Sequence, residues 1–161
     1  MPLTCADDTI PPVPQEFSMT QLLAPGVAQG AKYDHVRTMF EEDLASAGLG
    51  MVITHIGDGE ARGHFTIRPD MCNGHGTAQG GYLFTFADSL FAGACNSTGN
   101  IAVAAQVGIH YIAPAREGDV VEGHAVERRV WGRNGITDVT LTVNGEPIAE
   151  FRGTSRVVRA I

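Results

Sequence analysis

The run Gly80-Gly-Tyr-Leu-Phe-Thr-Phe-Ala-Asp-Ser-Leu-Phe-Ala-Gly-Ala-Cys-Asn96 decides the fold. It holds no proline, is nearly all apolar, and is too long for a strand, so it reads as a buried helix of roughly 15 residues. A helix that is apolar on almost every side must be covered by something large, and a sheet is the element that can do so. Inside it Asp88 is the only ionisable acid, set among Phe84, Phe86, Leu90 and Phe91. A carboxylate there is costly unless it is paired or hydrogen-bonded.

Downstream of Gly99 the chain turns β-rich. Ile101–Ile112, Asp119–Val130, Gly135–Val143 and Pro147–Val158 are long strand-like runs separated by Pro114–Gly118, Trp131–Asn134 and Asn144-Gly145. The last of these is a strong two-residue hairpin signal. Upstream, Met51–Ile56 and Ala61–Ile67 read as two strands joined through Gly57-Asp-Gly59, and Arg68–Ala78 reads as a loop. The spacing Val36, Met39, Phe40, Leu44, Ala47 predicts one helix over about Tyr33–Ala47 that stops at Gly48. Residues 1–30 carry five of the eight prolines and little apolar periodicity. They read as an irregular arm preceding a single domain over 31–161. Helix, hairpin, buried helix and four strands make an α+β domain in which one mainly antiparallel sheet wraps one central helix. Such a sheet leaves two open edges, which makes edge pairing into a dimer attractive.

Composition narrows the function. A chain of 161 residues with 43% apolar and 18% charged residues reads as an ordinary globule that needs no disulfide or metal staple. Its net charge of −7 argues against nonspecific binding to nucleic acid or to an anionic membrane. The charge is uneven, however: Arg128, Arg129, Arg133, Arg152, Arg156 and Arg159 crowd the C-terminal quarter against Asp138, Glu146 and Glu150. Cys5, Cys72 and Cys95 are an odd count without repeated spacing, which suits free thiols in a reducing compartment. With no basic-then-apolar leader and no run of eighteen apolar residues, a cytoplasmic location is expected. The six histidines show no tight ligand spacing and there is no Cys-x-x-Cys, so no metal site is expected.

The chemistry concentrates where Asn73-Gly-His-Gly-Thr-Ala-Gln-Gly-Gly81 runs into the helix. Glycines admit close approach of a ligand to the backbone, and a helix N-terminus offers unpaired N–H groups and a dipole that favours an anion. Oxyanion holes for acyl transfer are built this way. Asp88 lies about two turns beyond Gly81 on the same face as Thr85. Taken singly each feature has a plain reading, a structural Asp or an N-terminal turn; together they suit proton transfer or attack at a carbonyl. Acyl transfer of this kind asks for no metal or cofactor. His75 reads more simply as a loop-ordering hydrogen bonder than as a base, and Cys95 as packing.

The segment Asn73–Ser97, continued by Ile109–Asp119 and Phe151–Ser155, resembles the signature of hotdog-fold acyl-CoA thioesterases, most of all the phenylacetate-pathway branch. The resemblance spans roughly residues 40–158. It implies a long helix wrapped by a curved antiparallel sheet, a homodimer formed by sheet continuation, and dimers paired into tetramers. It further implies active sites between subunits, with the Gly80 N–H polarising the thioester carbonyl, Asp88 of the other subunit as nucleophile or base, and Asn73 orienting thioester or water. Gln79 and Gly81 flank the donor; Gln106 and Tyr111 fall where pantetheine and acyl groups pass; Arg128 and Arg156 fall where coenzyme A phosphates are held. A core or interface aromatic is the simpler reading of Tyr111, and a solvated surface face that of the two arginines. One departure stands out: the family usually has His-Gly-Gly, and this chain has Gln79-Gly80-Gly81. Glutamine keeps a hydrogen bonder but loses a group that titrates near neutrality. The alternatives are a hydratase or dehydratase on the same fold, for which a missing imidazole is unfavourable, and a noncatalytic acyl-CoA-binding module.

Overall fold

Six antiparallel strands stand in the order β1-β2-β4-β5-β6-β3, and one long helix lies across their concave face. The computed structural model describes residues 21–160. The strands are β1 (Val52–Gly57), β2 (Glu60–Thr66), β3 (Asn100–Tyr111), β4 (Val120–Trp131), β5 (Asn134–Val143) and β6 (Glu146–Ala160). The helix, α3 (Gly80–Asn96), packs on all six of them. The expected α+β architecture, with one sheet curled round one helix, is therefore what the chain adopts.

Alternation along the strands explains the curl. On β5 Gly135, Thr137, Val139 and Leu141 are buried while their neighbours are partly exposed, and β2 and β6 alternate in the same way. The inward positions meet Leu83, Phe86, Ala87, Leu90, Phe91 and Ala94 of α3. Two glycines set how close the helix comes. A methyl on Gly123 would lie 2.3 Å from Leu90, and one on Gly153 would lie 2.5 Å from Phe91. Aromatic contacts fill the remaining space, with Phe65–Phe86 centroids 4.9 Å apart and Phe91–Phe151 5.9 Å apart.

The helix expected over Tyr33–Ala47 is two helices, α1 (Asp34–Glu41) and α2 (Leu44–Gly48). Asp43 makes the break. Its backbone leaves the helical region, and its carboxylate accepts the Ser46 N–H at 2.9 Å, so it caps a new helix instead of continuing the old one. Leu44, assigned to the buried stripe by spacing, is consequently 66% exposed. Of the arm expected over residues 1–30, the first twenty residues lie outside the described ones. Residues 21–30 hold turns and one parallel bridge, Leu23 to Ile53, and they place Leu22, Leu23 and Ala28 in the core.

The two sheet edges differ. At β1 the Ile53 N–H donates to Leu22 and the Ala24 N–H to the Ile53 carbonyl, so residues 22–24 cover part of that edge. At β3 nothing among the described residues pairs the outer edge, and most of the strand is exposed. Among the described residues no helix is long and apolar enough to cross a membrane.

Candidate active site

The sheet leaves one stripe of α3 less covered: Gly81, Thr85, Asp88 and Ala92, each about one turn after the last. Asp88 sits in it half-buried, and its carboxylate makes no hydrogen bond or ion pair among the described residues. Burial alone pushes its pKa above the ordinary value. Thr85 on the same stripe turns its hydroxyl back to the Gly81 carbonyl at 2.9 Å. An acid that is neither paired nor free in water is a better base than an exposed one.

At the start of α3, Gln79 is the capping position in extended backbone, but its side chain caps nothing. Its N–H donates to Met71 at 2.8 Å, and the Tyr82 N–H returns to the Gln79 carbonyl at 3.0 Å. The N–H groups of Gly80 and Gly81 therefore have no acceptor among the described residues, and they stand at the positive end of the helix dipole. Tyr111, at the end of β3, crosses to this point: its hydroxyl donates to the Gly80 carbonyl at 2.8 Å. A methyl on Gly80 would lie 2.8 Å from that ring, so any larger residue there would push the Tyr111 ring aside. Tyr111 is 53% exposed, so of the core and interface readings the core one does not hold. A shallow apolar groove lined by Leu83, Tyr111, Ile112 and Ala113 opens next to Gly80.

Asn73 organises the loop before the helix. Its side-chain oxygen accepts the His75 N–H at 2.9 Å and the Thr77 hydroxyl at 3.3 Å, while its own N–H donates to the Thr77 carbonyl at 2.8 Å. His75 joins this network through its backbone, and its imidazole has no partner among the described residues.

Asn73, His75, Gln79, Gly80, Gly81, Asp88 and Tyr111 thus belong to the helix side of the sheet. Gln106, Arg128 and Arg156 belong to the outer face, away from α3. Gln106 donates to the Val107 carbonyl at 3.3 Å. Arg128 reaches Asp138 at 3.2 Å, and Arg152 engages the same carboxylate at 2.6 and 2.8 Å. Arg156 is exposed and has no such partner among the described residues. Leu83, Ile112 and Ala113 were not singled out by sequence, because apolar side chains beside a groove look the same as core ones.

The chain matches the family described as the thioesterase superfamily over residues 75–148. It is 34% identical over 124 residues to the acyl-coenzyme A thioesterase PaaI of Escherichia coli, across 76% of this chain and 89% of that protein. The solved structure of the E. coli PaaI protein, from the phenylacetic acid degradation operon, superposes with a TM-score of 0.77 at 32% identity. That match covers 80% of this chain and 94% of the other. A variant of the phenylacetic acid degradation protein PaaI from Thermus thermophilus superposes with a TM-score of 0.67 at 37% identity, covering 69% of this chain and 96% of its own.

Proposed function

The chain belongs to the thioesterase superfamily, and from that premise we propose that it hydrolyses the thioester of a compact acyl-CoA, such as an aryl-acetyl-CoA, to the free acid and coenzyme A. One observation carries the reading. An unpaired, half-buried Asp88 and the unpaired Gly80 N–H lie on one helix, eight residues or about 12 Å apart along its axis. A carbonyl held by the N–H at about 3 Å cannot also meet that carboxylate. The two groups therefore serve one thioester only when they come from different chains. The bare β3 edge offers the surface on which a second copy would continue the sheet and bring Asp88 towards Gly80 of the partner subunit.

In that arrangement the Gly80 N–H donates to the thioester oxygen and gains strength as negative charge builds there. Asp88 either takes the proton from an attacking water or attacks the carbonyl carbon itself. In both routes the C–S bond breaks and the sulfur leaves as a thiolate that is protonated afterwards; attack by Asp88 first gives a mixed anhydride, which water then cleaves to the free acid and the restored carboxylate. Asn73 holds the loop in shape, and the groove of Leu83, Ile112 and Ala113 takes an apolar part of the substrate. Arg156 is the better of the two arginines for a coenzyme A phosphate, because Asp138 already engages Arg128.

Release of free thiol from a panel of acyl-CoAs, with Asp88→Asn and Asp88→Ala alongside, tests this reading. The wild type is expected to release thiol and both variants to lose nearly all of that activity. Equal background rates in all three would instead favour a binding module, and hydration of an enoyl-CoA would favour a hydratase. Single turnover in 18O-labelled water separates the two routes, since only attack by Asp88 can leave label in its carboxylate.

A further inference from the structure

The start of α3 is weakly held by its own residues. It opens on two glycines, and no side chain caps it. The direction of the Gly80 N–H therefore depends on what fixes the loop in front of it. One support is the bond from Gln79 N–H to the Met71 carbonyl, and Met71 is fully buried. Met71 closes the short 3-10 turn Pro69–Met71, which is held in turn by Arg68. The Arg68 guanidinium grips Asp70 through Nε at 3.0 Å and Nη2 at 3.1 Å, and its Nη1 donates to the Leu49 carbonyl at 2.9 Å. Leu49 is the residue that ends α2.

The middle of α2 is tied to α3 itself. Ser46 is buried, its N–H is capped by Asp43, and its hydroxyl contacts both the Asp43 carboxylate and, at 2.8 Å, the hydroxyl of Ser89. Ser89 also lies 2.9 Å from the Thr85 carbonyl. Two hydroxyl protons thus serve three contacts, and the Asp43 carboxylate orders them by accepting from Ser46. Ser89 is the residue after Asp88.

We propose that α2 is a brace that positions the oxyanion donor: Ser46 and Ser89 anchor it to α3 beside Asp88, and Arg68 passes that anchorage to the loop carrying Gly80. Ser46, Ser89 and Arg68 are positioning residues; none of them touches the reacting atoms. The inference rests on the thioesterase reading for its kinetic consequence, and on contacts within one chain for its structural one. A brace acts only while both ends hold, so cutting either end releases the loop and cutting the second adds little.

The variants Ser46→Ala, Arg68→Ala and the pair together test it, with Arg68→Lys as the conservative exchange. For each single cut kcat is expected to fall roughly tenfold while KM moves less than about twofold, since a misdirected donor costs transition-state stabilisation more than ground-state binding. The double variant is expected to be no slower than the slower single one. Arg68→Lys, which can still reach the Leu49 carbonyl, is expected to recover part of the rate. Amide hydrogen exchange over residues 72–82 is expected to quicken in both single variants, a readout that needs no activity. Unchanged exchange there, or additive losses in kcat, would overturn the brace. Should Ser46→Ala fail to fold, Ser89→Ala cuts the same anchor from the α3 side. If the wild type released no thiol while exchange still quickened, the functional reading would fall and the brace would stand.

Discussion

Two carboxyl groups along the central helix share one electrostatic signature and differ in everything else. Asp88 lies on the stripe of α3 that the sheet leaves bare. Glu127 projects from β4 onto the concave face near the far end of the helix, between Gly59 and Gly135. Both are half-buried, both lack a partner among the described residues, and burial pushes both above the ordinary carboxylate range. Beside Glu127 the Cys95 thiol is pushed up to about 12, by burial first and by Glu127 second. Desolvation by itself therefore does not mark a catalytic acid. What separates the two is placement: Asp88 lies on the helix stripe that the sheet leaves bare, whereas Glu127 stands on a strand against the β1–β2 turn and β5 of its own chain. A methyl on Gly135 would lie 2.7 Å from both the Glu127 carboxylate and the Ser155 hydroxyl.

The largest effect that could break this comparison is on rate. Asp88→Asn is expected to lower kcat by on the order of 10²–10⁴, the range for a lost base or nucleophile, while Glu127→Gln leaves thiol release unchanged. Equal losses in both would erase the distinction. Next comes packing: Gly135→Ala is expected to cost about 1–3 kcal/mol in a denaturation curve, because the new methyl meets the Glu127 carboxylate and the buried Ser155 hydroxyl. Gly81→Ala, where nothing lies within 4 Å, is expected to be neutral or slightly stabilising.

A pH series sharpens the contrast further. Each of the two acids binds its proton more tightly in the folded chain than in the unfolded one. Their contribution to stability is therefore fully present below the ordinary carboxylate pKa and is lost as pH rises through the raised one. Glu127→Gln should remove its share of that loss, so it is expected to stabilise the protein at neutral pH and not at low pH, as read from denaturant midpoints. Activity runs the other way: it should fall as pH drops through the raised pKa of Asp88, and that acid limb should be unmoved in Glu127→Gln. The smallest effect expected is Tyr111→Phe. Losing one hydrogen bond at an exposed site should lower stability by less than about 1 kcal/mol, measured by thermal melting.

Several features were legible because a local pattern and the tertiary answer agree. Seventeen residues without a proline and almost without charge read as a covered helix, and Asn144-Gly145 made the β5–β6 turn with both residues at positive φ. The break at Asp43 was missed because its cap competes with an apolar spacing that runs straight through it. Tyr111 reads locally as a core or interface aromatic because nothing nearby in sequence shows that the end of β3 returns to the start of α3. Glu127 did carry a signal: Val121, Gly123 and Ala125 are the inward phase of β4, and Glu127 continues it. An acid in phase with buried neighbours reads as a desolvated carboxylate, as Asp88 does. The arginine cluster was legible as charge, but which members are engaged by Asp138 was not.

What the order of residues determined by itself was the set of elements and the chemistry they carry: an apolar helix, hairpins round it, an acid inside and a glycine-rich approach. Those follow from periodicity, turn preferences and the cost of burying charge, all of which act over a few residues. Which face of the helix stays bare, and where Tyr111 and Arg68 reach, were decided by tertiary packing. Such facts join residues remote in the chain, and their sign is set by distances of a few ångströms that no local pattern encodes.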